Sequence, residues 1–301
     1  MNPEVSVGIS IDCLVDNHSA IGEGAVWDVD TQRLWWVDIP VGLVHCTDVT
    51  CGTTETRTVG EPVGCLALRE QGGLVLATRK GFKVLDWDSG ALSPIADPEA
   101  HLPGNRFNDG QTDPAGRFWA GTMHDPTAPE EPPSGTFYRL DADHSVTAWR
   151  SGFYTCNGLA FSPDGTRMYF SDSFPAVRNI YVCDYDLDSG TPGPPELFFD
   201  TRDVAGRPDG GTVDADGCYW QAGVGGWQLY RITPDGRLDQ TIDLPIERPS
   251  RPMFGGPNLD TLYLTTLGAG VTPGTDQPQA GGLFAITGLG VQGVPQTRFP
   301  G

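Results

Sequence analysis

Three short segments of this 301-residue chain place an oxygen-bearing side chain directly before a glycine: Glu23 in GEGAVWD (22–28), Asn157 in NGLAFSPDG (157–165) and Asp209 in RPDGGTVDADG (207–217). A fourth segment, RFNDGQTD (106–113), sets Asn108 and Asp109 behind Arg106. Taken singly, Asn-Gly and Asp-Gly are ordinary turn dipeptides. Brought to one point, two carboxylates and an amide carbonyl form a hard-oxygen site. Such a site suits one divalent cation, Ca²⁺, Zn²⁺, Mn²⁺, Mg²⁺ or Fe(II), with water filling the remaining positions. Carboxylates facing each other across a channel repel unless a cation lies between them. Other chemistries lack their signatures, since there is no G-x-S-x-G elbow, no H-E-x-x-H, no phosphate-binding loop and no dinucleotide fingerprint.

The elements that must position these residues are read from a repeat. A turn rich in Asp, Gly, Pro and Asn, followed by an aromatic and β-branched run, occurs six times, as in DVDTQRLWWVD (28–38), DPAGRFWAGTM (113–123) and SPDGTRMYFSDS (162–173). A second strand pair follows each copy, and successive copies start roughly 40 to 50 residues apart, the length of a four-stranded propeller blade. The expected fold is all-β: a six-bladed β-propeller of four-stranded antiparallel blades around a central channel, with residues 1–301 as one domain. The alternating segment VSVGISIDCLV (5–15) is expected to add the outer strand of the last blade and clasp the ring, and PTAPEEPPSG (126–135) reads as a long loop on the third blade. Residues at the start of each innermost strand converge on the axis. Equivalent placement of Glu23, Asn157 and Asp209 in blades one, four and five favours a ligand set over three unrelated turns.

Composition narrows the partner. The formal charge is 19 − 39 = −20, which repels phosphate backbones and anionic lipid, so neither nucleic acid nor membrane is expected. Seven cysteines without a C-x-x-C pair, and an N-terminus with no signal-like apolar stretch, lead us to expect a reduced, cytoplasmic protein, monomeric or weakly homo-oligomeric.

The chain resembles the SMP-30/gluconolactonase/regucalcin-like family of six-bladed propellers. The resemblance rests on GEGAVWD, RFNDGQTDPAGRFWAGTM (106–123), NGLAFSPDG, RPDGGTVDADG, FGGPNLDTLY (254–263) and AGGLFAITGLGVQGV (280–294). It implies that Glu23, Asn157 and Asp209 bind one divalent metal, that Arg106 and Asn108 contact the substrate, and that the substrate is a sugar lactone. Animal members follow GTM with acidic residues, whereas this chain has His124-Asp125-Pro126, more like bacterial aldonolactonases.

A lactone is an activated ester, so the chemistry expected is a metal Lewis acid with Asp209 doubling as general base toward water. Arg106 and Asn108 would grip sugar hydroxyls. Asp109 would stand with them at the substrate site, orienting Arg106 or closing the turn, and His124 is a further candidate as donor or acid. A calcium-binding regulatory propeller is the rival from another class. It would need the metal ligands but not Arg106 and Asn108.

Overall fold

The structure, a computed structural model, describes residues 8–126 and 132–301. Six antiparallel sheets account for its strands, and the only other regular element among the described residues is a single 3-10 turn at Thr201–Asp203. The innermost strands are Gly22–Asp28, Val63–Leu68, Asn105–Thr112, Cys156–Phe161, Arg207–Val213 and Pro249–Gly255. Each packs against the next, and the last returns to the first, so the sheets close a ring around a channel. This is the six-bladed propeller expected. Blade four adds a small variation, in which Asn179–Asp186 pairs along one edge with both Glu196–Asp200 and the two-residue segment Thr191–Pro192.

Ser10–Val15 pairs with Leu283–Thr287 as the outermost strand of blade six, so an N-terminal strand completes a C-terminal blade. The expected clasp is therefore in place over residues 10–15, while its first three residues, 5–7, lie outside the described residues, as do 127–131 of the proline-rich loop.

The two inner strands of each blade bury both faces, which explains why the repeats read as nearly continuous apolar runs. Side chains alternate across a strand. In Arg33–Asp38, Leu34 and Trp36 pack toward blade six while Trp35 and Val37 pack toward blade two. Six apolar clusters result, one at each interface between neighbouring blades. At the far end of the innermost strands of blades one, three and five an aspartate, Asp28, Asp113 or Asp214, closes the turn to the next strand. Asp113 accepts from the backbone N–H of Ala115 and Arg117, and Asp214 does the same for Asp216 and Cys218. These Asx-type bonds fix where those three blades turn.

Candidate active site

The innermost strands share an irregularity near their start, where the pairing register shifts. The position aligned at that shift is Glu23 in blade one, Gly64 in blade two, Asn108 in blade three, Asn157 in blade four, Asp209 in blade five and Ser250 in blade six. The glycines following Glu23 and Asn157 adopt left-handed φ values of 61° and 64°. A Cβ on Gly158 would stand 2.5 Å from the Tyr219 hydroxyl. Glycine there is thus demanded both by conformation and by space. Blade two offers no side chain because a Cβ on Gly64 would lie 2.4 Å from the Phe107 carbonyl oxygen.

Glu23, Asn108, Asn157 and Asp209 all line one cavity of about 340 Å³ at the mouth of the channel. Glu23, Asn157 and Asp209 are buried, and Asn157 Nδ2 donates to Asp209 Oδ1 at 2.6 Å and to Ser173 Oγ at 2.8 Å. Burial pushes the Glu23 carboxyl well above the usual carboxylate range, and the nearby Asp209 and Asp109 push it further. Burial likewise lifts Asp209 to about 7, with Arg207 opposing the shift. Among the described residues neither carboxylate has a cationic side chain within ion-pair distance. Two buried acids with no cationic partner form a costly arrangement, and one that a divalent cation would relieve. The donor set fits such an ion: two carboxylates and one amide, which carries a donor and an acceptor that a half-turn exchanges. No group of three His, Cys, Asp or Glu gathers for a metal among the described residues; here the third donor is an amide.

Blade three supplies the wall beside blade four. Arg106 Nη1 donates to Asn108 Oδ1 at 2.8 Å and to its neighbour's carbonyl, Phe107 O, at 3.0 Å, and its Nε donates to Asp125 Oδ2 at 3.0 Å. Asn108 Nδ2 in turn donates to Cys156 O, 3.0 Å away on blade four. Arg79 Nη2 donates to the same Asp125 oxygen at 2.7 Å. Arg106 and Asn108 therefore face the cavity as one locked unit, steered by Asp125.

Residues 21–268 match the SMP-30/Gluconolactonase/LRE-like region. The chain belongs to this family. Among SMP-30/gluconolactonase relatives, 6-deoxy-6-sulfogluconolactonase of Pseudomonas putida is 38% identical over 295 residues, 97% of this chain and 99% of the relative. Regucalcin of Xenopus laevis is 36% identical over 298 residues, with 97% and 99% covered. The crystal structure of a calcium-binding protein, regucalcin, from Agrobacterium tumefaciens superimposes with a TM-score of 0.90 at 28% identity, covering 97% of each chain.

Two sequence expectations are corrected within this family frame. Asp109 is not among the residues that line the cavity, and it pairs with Arg251 rather than Arg106. It sits one layer below the cavity, where both carboxylate oxygens accept from Arg251 Nη1 and one accepts from Leu159 N. The register shift turns it downward, and Arg106 takes Asp125 as its carboxylate instead. His124 ends the strand Phe118–His124 off the cavity wall, with its ring against Gly104 and Nδ1 2.9 Å from Pro126 O. Sequence reasoning passed over Arg207 and Arg248, which line the cavity, and the buried Arg251. The signal was present for the first two: each lies two residues before a channel position, Arg207 at the start of its strand and Arg248 just ahead of its own.

Proposed function

We propose that this chain hydrolyses a sugar lactone to the aldonic acid, as a step in sugar catabolism, using one divalent cation held by Glu23, Asn157 and Asp209. The observation that carries the reading is the joining, in one cavity, of two unpaired buried carboxylates and an amide with the locked Arg106–Asn108 pair. When bound, the cation supplies Lewis acidity toward the lactone carbonyl and offsets the carboxylate repulsion. Arg106 and Asn108 hold the sugar hydroxyls through N–H and amide groups already fixed by Asp125 and Cys156 O. Asp209 takes a proton from the attacking water as that water adds to the carbonyl carbon. The ring C–O bond then breaks, and the same proton passes from Asp209 to the departing ring oxygen. A wall that includes Ile21, Met123, Phe174 and Leu267 covers the apolar face of the ring.

A calcium-binding propeller without turnover would have no use for the Arg106–Asn108 unit. The seven unpaired thiols fit a reducing cytosol, and no helix among the described residues is long and apolar enough to cross a membrane. A pH-indicator assay across a panel of aldonolactones tests the reading, because ring opening releases an acid. Turnover of at least one lactone well above its spontaneous rate is expected, whereas spontaneous rates across the whole panel would overturn it.

A further inference from the structure

Two residues before each channel position the blades carry Ile21, Pro62, Arg106, Thr155, Arg207 and Arg248, and all of these but Pro62 line the cavity. The cavity rim thus holds three guanidinium groups, on blades three, five and six. Arg106 is committed to Asp125. Arg207 makes one long hydrogen bond, Nη1 to Ser173 O at 3.3 Å. Arg248 makes one, Nη1 to Gly270 O at 2.7 Å, and its Nε is buried with no partner.

Neither has a carboxylate within 4.0 Å among the described residues, although the chain holds 39 acidic side chains against 19 basic ones. Arg57, Arg69, Arg150, Arg167 and Arg178 likewise have no carboxylate within that distance, but none of them lines the cavity, and Arg231 pairs with Asp214, Asp216 and Asp239. Arg178, which also lacks a carboxylate, spends Nη2 on the carbonyls of Thr201, Val204 and Gly206. Arg207 and Arg248, on adjoining blades and half-buried, keep most of their donors free at the cavity. A planar guanidinium fork with free donors matches a carboxylate, sulfonate or phosphate oxygen pair.

We infer that the lactone this cavity takes carries its own fixed negative charge, remote from the carbonyl and seated on Arg207 and Arg248. This inference rests on the lactonase reading. The facing carboxylate, Asp209, belongs to the ligand set, and that of Glu247 is occupied by Thr272 N and Oγ1.

The test compares kcat/KM for neutral glucono-1,5-lactone with lactones of the same ring bearing a carboxylate, a sulfonate or a phosphate at C6, at low and high salt. Wild type is expected to favour at least one charged lactone by about 10-fold or more, with the preference shrinking in salt. The three arms identify the anion. R207Q and R248Q are each expected to cut that charged-to-neutral ratio by about 10-fold, mainly through KM. Equal or faster opening of the neutral lactone by wild type would overturn the inference. So would variants that slow neutral and charged lactones alike, since the arginines would then serve Asp209 rather than the substrate. Failure to open any lactone would remove the lactonase reading and the inference with it. Should either variant unfold, wild-type thermal shifts with glucarate against gluconate decide the matter: a larger shift with the dianion supports the seat, and equal shifts contradict it.

Discussion

Arg251 of blade six reaches Asp109 of blade three across the axis of the propeller, Nη1 lying 2.8 and 3.0 Å from the two carboxylate oxygens, with both side chains 1% exposed. The pair joins opposite blades and forms the floor beneath Glu23, Asn157 and Asp209. Arg251 Nη2 also donates to Gln111 Oε1 at 2.7 Å, and Asp109 accepts from the backbone of Leu159, two residues past Asn157. The floor therefore holds in place the strand that presents a metal ligand.

Removing one half of this pair leaves the other half charged and buried. Arg251→Met and Asp109→Leu are each expected to cost about 3–5 kcal/mol, while the double variant loses less than either single one. Urea unfolding of the three proteins checks this. Additive losses would mean that the pair does not act as a unit.

Gly64 explains why blade two contributes nothing to the ligand ring. Gly64→Ala forces a methyl against the Phe107 carbonyl, so a loss of about 1–3 kcal/mol is expected, visible as a lower melting temperature. An unchanged melting temperature would show that blades two and three approach less closely than described.

The fold was readable from the sequence because each blade repeats the same turn and the same doubly buried inner strands, at the period of a four-stranded blade. Glu23, Asn157 and Asp209 stood out because each precedes a glycine at the same point of the repeat. The partnership of Asp109 with Arg251 was not readable: the two lie 142 positions apart and meet only once the ring closes. Asp125 was equally silent, because its place beside Arg106 depends on how the strand end Phe118–His124 lies against Asn105–Thr112.

Asp125 acts through Arg106. Asp125→Ala should raise KM for the lactone roughly 5-fold, equivalent to about 1 kcal/mol for a partly exposed ion pair, with little change in melting temperature. A fall in melting temperature with KM unchanged would make Asp125 a purely structural residue.

Glu23 is an unpaired buried carboxylate in the metal-free protein, so Glu23→Gln is expected to melt no lower than wild type without metal. It should also lose the rise in melting temperature that a divalent cation gives wild type. Differential scanning calorimetry with and without added metal measures both, and an undiminished metal response in Glu23→Gln would remove Glu23 from the ligand set.

The most direct measurement is the rate of lactone opening by enzyme stripped with chelator, then by the same sample after divalent metal is restored, with Asp209→Asn alongside. The account predicts a loss of about 100-fold or more on stripping, recovery on metal addition, and no recovery in Asp209→Asn, which keeps the β-sheet spectrum of wild type. Strong residual activity in enzyme shown by elemental analysis to be metal-free would contradict it.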